Sequence, residues 1–462
     1  MQSLVCFLSR LKIRTSGWVA GLSMLFLLIP SVQAQGQQEE RRMTVSEAVR
    51  IALGDNHGIK ALKNATQAQE KEIGITRSYL LPRISVEERY LRTTNPGYAF
   101  MSKLNQERIE QQDFNPGLLN HPDAINDYQS SLTLEQPLYM KKAFIGLDMS
   151  KTEARAKGEE LVRKREDVAF QVVKACLIIV SAKEYVHAVE QGVDEAREHR
   201  RVAELRYKNG LGQYADSLRT VTALTEARQK KNIAEKNLRL AKLGLGLLLA
   251  TVESIDVDTS AINFPLHDLS VYLRVAESRS DLKAAELRDE NAKQNIRMAE
   301  AGYFPYMGVG GTYQLNDHNR PFGSEGKNWQ VMAFLRWDLF DGTRREYERS
   351  KAKYLAAQSQ ENVSEMKKGI SYKIYEAFMN VEEARKNIEL NQEALKTAEE
   401  GARLLKVRYE NGLSSLADLL NAQSSLEQAR AGLVDKENAH KVALATLSFE
   451  SGTILKDLNI DK

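Results

Sequence analysis

Cysteine is nearly absent from this chain: Cys6 and Cys176 are the only two. Cys6 precedes an apolar N-terminal run, so a chain shortened behind that run keeps one thiol and forms no intramolecular disulfide. Proline is scarce, with nine in 462 residues, and aromatics make up 7%. Few prolines leave room for long unbroken helices. Past the N-terminal run, no stretch reaches the roughly 18 continuous apolar residues of a membrane helix. A membrane crossing would therefore use strands. Excess charge is also missing. Residues 1–34 hold Arg10, Lys12 and Arg14 without an acid, which accounts for the whole net charge of +3. With no basic face, nucleic-acid binding is not expected. The seven histidines (His57, His121, His187, His199, His267, His318 and His440) are scattered. No nucleophile elbow, phosphate loop or H-E-x-x-H pattern occurs. No catalytic residue, metal site or cofactor is expected.

The basic start, the apolar run Trp18–Ile29, Pro30 and Val32-Gln33-Ala34 have the order of a secretory signal peptide, with cleavage expected after Ala34. Residues 35–42 form a polar lead-in. Thr44-Val45-Ser46-Glu47 opens a helix, through a capping hydroxyl and an acid in the first turn, that runs to about Tyr79 and stops at Leu81-Pro82. The period then changes to two: Ile84, Val86 and Tyr90, and later Tyr128, Leu132, Leu134 and Leu138, alternate with polar residues. Residues 93–126 between them read as a long loop, giving a hairpin over 82–139. A long helix over 141–209 carries Val168, Val172, Ala175, Ile179, Ala182, Val186, Val189, Val193, Ala196 and Ala203 at heptad spacing. A returning helix covers 214–250, and 251–270 is a break.

The pattern then recurs: a helix over 271–302 stopping at Phe304-Pro305, a hairpin over 304–340, a long helix over 343–410, a returning helix over 415–450 and a tail. A shift of 202 places Val168 on Ile370, Val172 on Ile374, Ala175 on Ala377 and Ile179 on Val381. It also places Arg206-Tyr207-Lys208-Asn209-Gly210-Leu211 on Arg408-Tyr409-Glu410-Asn411-Gly412-Leu413. The chain thus reads as two structural repeats, 35–270 and 271–462. Asn-Gly ends a helix, because glycine accepts the left-handed backbone of a C-cap. Each copy therefore marks a tip where one long helix stops and another runs back.

A helix of about 68 residues would span about 100 Å. Seams rich in alanine suit helices lying side by side along a curved wall. From the helices alone, a solvated coiled-coil rod fits equally well. The strands shift that balance. Trp329 and Trp337 bracket an alternating apolar run, as in an outer-membrane strand with an aromatic girdle. Four strands cannot close a barrel, and an open edge in lipid is costly, so the chain must oligomerise. Eight, twelve or sixteen strands from two, three or four copies remain open on these grounds. The alternative from another class is a secreted periplasmic coiled-coil scaffold without a pore.

With its two tips, its Leu81-Pro82 and Phe304-Pro305 junctions and the run Ser414-Ser415-Leu416-Ala417-Asp418-Leu419-Leu420-Asn421-Ala422-Gln423, the sequence resembles the TolC-type outer-membrane efflux proteins over nearly all its length past residue 34. The resemblance implies a mainly α fold with a transmembrane β-barrel portion. It implies a homotrimer in the cell outer membrane: a twelve-stranded barrel continued by a twelve-helix periplasmic tunnel, belted by 251–270 and the tail. It further implies a passive channel that receives substrate from a periplasmic adaptor and an inner-membrane RND, ABC or MFS pump. Arg206, Tyr207, Gly210, Leu211, Arg408, Tyr409, Gly412 and Leu413 match the family's adaptor-contacting tips. Asp418 matches an aspartate at the periplasmic gate, where three copies would form an acidic ring. Ser415-x-x-Asp418 is equally a capping box for the returning helix. Asn421 stands where well-studied members carry a second aspartate, so a double acidic ring is not expected. Tyr409 reads either as a gate hydrogen-bonding residue or as plain packing.

Overall fold

The computed structural model describes residues 41–258 and 264–460; the expected signal peptide lies outside the described residues. In chain order the elements begin with β1 (Arg41–Thr44), α1 (Val45–Asp55), α2 (His57–Ser78) and β2 (Arg83–Thr93). Next come α3 (Pro96–Asn105), α4 (Pro116–Asn120), β3 (Ile125–Tyr139), α5 (Lys141–Lys208), α6 (Tyr214–Leu248) and β4 (Ile255–Asp258). The second set is α7 (Leu269–Ala276), α8 (Ser280–Glu300), β5 (Tyr306–Asp317), β6 (Gly326–Arg336), α9 (Arg344–Glu410), α10 (Leu416–Ser451) and α11 (Ile454–Asp457). The fold is mainly helical, and none of the described helices is long and apolar enough to cross a membrane.

Helices α5 and α9 run 68 and 67 residues without a break. On α5 the apolar face is wider at mid-length than a two-position seam. Ala169, Val173, Cys176 and Leu177 are buried beside Val168, Val172 and Ile179, because α1, β1, β4 and α11 all pack there. In that core Cys176 is fully buried, and burial pushes its thiol up to about 12.

Four local features differ from the sequence reading. The expected single helix to Tyr79 is two helices, because Asn56 interrupts it: its Oδ1 caps α2 at Gly58 and Ile59, and its Nδ2 donates to Leu248 O of α6. The helix expected over 271–302 is likewise divided, at Arg279. The long loop of 93–126 contains two short helices, each with Asn at the N-cap and Pro at the first turn (Asn95-Pro96 and Asn115-Pro116). The polar lead-in contributes β1, which pairs in parallel with β4, Met43 opposite Val257.

The larger sheet is antiparallel, in the order β2-β3-β5-β6. Its register sorts the side chains by face. Val86, Leu132, Tyr313 and Trp329 form one row across all four strands, and Ile84, Leu134, Gly311 and Val331 another. The intervening rows are Ser85, Thr133, Thr312 and Gln330, and Glu87, Ser131, Gln314 and Asn328. Successive residues of a strand point to opposite faces. The sheet therefore has one mainly apolar and one mainly polar face, with Met332 and Phe334 on the polar side and Glu88 and Lys327 on the apolar side. Trp329, Val331, Ile84 and Val86 are each about 70% exposed, so none of the described residues covers them. The outer strands β2 and β6 are paired on one side only.

Candidate functional site

The two tips share one backbone turn. At the first, Gly210 has φ of 72°, Leu211 N donates to Arg206 O (2.8 Å) and Gly210 N to Tyr207 O (3.0 Å). At the second, Gly412 has φ of 75°, Leu413 N donates to Arg408 O (2.7 Å) and Gly412 N to Tyr409 O (3.0 Å). This paired bonding closes a helix on a left-handed residue and satisfies its last carbonyls. Among the described residues, no atom beyond its chain neighbours lies within 4 Å of a Cβ built on Gly210, so glycine stands there for its φ and not for lack of room. Leu211 and Leu413, 69% and 68% exposed, present an apolar side chain at each tip.

The side chains around the turns are not equivalent. Arg206 reaches across to the second tip: its Nη1 donates to Tyr409 O (2.7 Å) and Glu410 O (2.9 Å), the terminal carbonyls of α9. Its guanidinium also lies over the Tyr409 ring at 5.1 Å. A cation at a helix C-terminus complements the helix dipole. Tyr409 is only 4% exposed and packs with Leu416 and Leu419. Burial, then the nearby Asp216 carboxylate, push its hydroxyl pKa up. Tyr207 is instead exposed and rests on Tyr214, ring centroids 5.2 Å apart.

The described fold agrees with what comparison with known proteins finds. A family model described as outer membrane efflux protein matches residues 48–251 and 271–453. The chain belongs to that family. It is similar to Protein CyaE of Bordetella pertussis, 26% identical over 277 residues, 57% of this chain and 58% of that protein. It is similar also to outer membrane protein TolC of Salmonella enteritidis, 19% identical over 443 residues, 90% of this chain and 83% of that one. Among solved structures, a membrane protein from Pseudomonas aeruginosa superimposes with a TM-score of 0.75 at 19% identity, covering 88% of this chain and 93% of that one. This likeness concerns the fold.

In this outer-membrane efflux protein Asp418 is the third residue of α10 and completes a capping box. Ser415 Oγ accepts from Asp418 N (3.2 Å), and Ser415 N and Oγ both donate to Asp418 Oδ2 (3.2 and 2.7 Å). The Ser415 hydroxyl and amide, with help from Arg408, hold its carboxyl below the usual carboxylate range. The carboxylate stays exposed, so capping leaves it open to solvent. Asn421, also exposed, lies nearly one turn along the same face. Trp329 lies within β6, whereas Trp337 lies one residue past its end, where its Nε1 donates to Tyr303 O (3.1 Å).

Sequence reasoning missed two groups. His199 of α5 is 5% exposed and its Nε2 has no hydrogen-bond partner among the described residues; burial pushes its imidazole pKa down, which keeps it neutral near pH 7. At the β5–β6 turn, ligand-type atoms of Asp317, His318 and Glu325 lie within 4.8 Å of one another. Asp317 is committed to the amides of Asn319 and Arg320, and His318 to Glu325. That arrangement locks the turn. Neither group follows a sequence motif: burial sets His199 apart, and a turn gathers Asp317, His318 and Glu325.

Proposed function

We propose that the chain is the outer-membrane duct of a tripartite efflux or type I secretion assembly. The observation that carries this is the sheet with one mainly polar face, one exposed and mainly apolar face and two open edges. In lipid such a sheet is tolerable only when closed. Joining β6 of one copy to β2 of the next closes it, with the apolar rows towards lipid and the Ser, Thr, Gln and Asn rows towards a lumen. With four strands per copy, a homotrimer makes a barrel of twelve. The helices continue it as a tunnel, and the β1–β4 ribbon, α7 and α11 form a belt. The tips, with Leu211 and Leu413 exposed, serve as docking points for a periplasmic adaptor joined to an inner-membrane RND, ABC or MFS pump. The duct is passive, and a signal peptide cut after Ala34 directs its export.

The test is location and conductance together. The protein should fractionate with outer membranes, run as a trimer on unheated gels and conduct ions in a planar bilayer. A soluble periplasmic monomer without conductance would leave only a scaffold. Within this reading, three Asp418 carboxylates face one another at the entrance. Asp418→Ala is then expected to weaken block by di- or trivalent cations at least several-fold, measured as the half-blocking concentration. Block unchanged by the substitution would leave Asp418 as a helix cap alone.

A further inference from the structure

Arg206 and Arg408 occupy the same position of the same turn. Each donates through Nη2 to the carbonyl five residues on, Arg206 to Leu211 O (3.2 Å) and Arg408 to Leu413 O (3.3 Å). Beyond that bond they part. Arg206 spends Nη1 on the last carbonyls of α9 and covers the Tyr409 ring, whereas Arg408 Nη1 makes no hydrogen bond among the described residues, and Arg408 is exposed. The receiving groups are asymmetric in the same sense. Tyr409 is 4% exposed beneath Arg206, while Tyr207, its equivalent under the 202-residue shift, is 45% exposed. The protomer thus carries one complete arginine-to-helix-end clasp and the two unmatched halves of another.

We propose that Arg408 completes the second clasp on a neighbouring copy: its guanidinium caps α5 of that copy at the carbonyls of the partner subunit's Tyr207 and the partner subunit's Lys208, and lies over the ring of the partner subunit's Tyr207. The proposal rests on the ring reading above and assigns it a residue-level joint. The chemistry is that of the intact clasp, a planar cation on carbonyls that carry the negative end of a helix dipole. The joint is head-to-tail, so it propagates around a ring and is not self-complementary as in a two-fold dimer. The sheet gives the same order: its free edges are β2 of the first half and β6 of the second. Three copies would then hold six clasps at the tip, three within copies and three between them, alternating.

The full-length protein in its native membrane tests this with two cysteines, Arg408→Cys and Lys208→Cys, and a short bis-maleimide. Cys176 is fully buried and its thiol stays protonated, so it does not compete. Covalent dimers and trimers on denaturing gels are the expected result. The control pair Arg206→Cys with Glu410→Cys should cross-link within one chain and give no ladder. A trimer on unheated gels that yields no ladder from the 408/208 pair overturns the clasp and leaves the ring reading intact. Absence of any trimer in the wild-type protein overturns both. Because the cysteine removes the arginine itself, a second measurement uses Arg408→Ala and Arg408→Lys. The alanine variant should lower the temperature at which trimers dissociate, and lysine should restore part of the loss. Dissociation unchanged in both variants would also sink the proposal.

Discussion

Replacing Arg279 with alanine is expected to destabilise the protein by about 3–5 kcal/mol, the usual cost of stripping a buried ion pair of one partner. Arg279 stands between α7 and α8 and is 5% exposed. Its Nε and Nη2 grip Asp281 in a fork (3.0 and 2.7 Å), and Nη1 donates to Glu450 O (2.6 Å) and Glu450 Oε2 (3.1 Å). The residue thus joins the start of α8 to the end of α10, where Gly452 at φ of 77° closes the helix. Alanine would leave the Asp281 carboxylate facing Arg163 at 3.7 Å as its remaining ion-pair partner. The penalty has a pH signature. Burial pushes the Asp281 carboxyl up, but the Arg279 hydrogen bonds and charge outweigh it, so its pKa lies below the ordinary value. A depressed carboxyl contributes stability above about pH 4, its unfolded value, and loses it as pH falls through the folded one. The gap between wild type and Arg279→Ala should therefore be widest near neutrality and narrow in acid. Urea midpoints followed by tryptophan fluorescence at several pH values measure it. A gap that is flat or grows on acidification would mean that the ion pair is not the source of the loss.

Gly326→Ala should also be strongly damaging, through contact and not charge. A Cβ at Gly326 would lie 1.9 Å from Asn105 O and 2.8 Å from Asn105 C, both backbone atoms at the end of α3. The neighbouring Gln106 is buried and donates to Asn126 O (2.8 Å) and Asp127 Oδ1 (2.9 Å). Asp127 in turn accepts from Asn316 (2.9 and 3.2 Å) and Ser102 (3.3 Å). Moving α3 aside therefore strains a closed polar network linking β3 and β5. Overpacking alone costs about 1–3 kcal/mol, and loosening buried hydrogen bonds adds to it. Given the proposed trimer, the yield of trimers on unheated gels should fall sharply. Gly311→Ala is the control, since its Cβ would meet nothing nearer than 3.8 Å. Equal yields from the two variants would refute the steric account.

What the sequence made legible was local. Asn209-Gly210 and Asn411-Gly412 end the two long helices, and alternation in 84–90, 128–138 and 329–335 marks strands, because each signal lies in a few consecutive residues. The mainly α class and the efflux-protein family followed from these patterns. Hidden features depend on groups far apart in the chain. The β1–β4 ribbon joins two four-residue segments with little periodicity of their own. Arg206 reads in the sequence as a tip residue matching an adaptor contact, and only the fold brings it to the end of α9. The break at Asn56 was visible in principle, as Asn followed by His-Gly, yet its bond to Leu248 O was not. Asn95-Pro96 and Asn115-Pro116 read as loop residues, although Asn before Pro is also a helix start. Of the candidate site, the turns could be seen in advance, while the difference between Tyr207 and Tyr409 could not.

The open edges of the sheet also bear on how the molecule matures. A single chain carries unpaired backbone along both β2 and β6, next to rows of bare Ile, Val, Leu and Trp. Such edges template association with any other exposed strand. On the proposed ring closure, the lone protomer is the most aggregation-prone species on the route, and its lifetime depends on meeting further copies. Assembly steps slow with dilution. At low synthesis rates maturation should lag and proteolysis should compete; at high rates the lag should shorten until off-pathway strand pairing takes over. On the proposed closure, the chain's maturation is governed by a search among copies, and not by the closing of its own core.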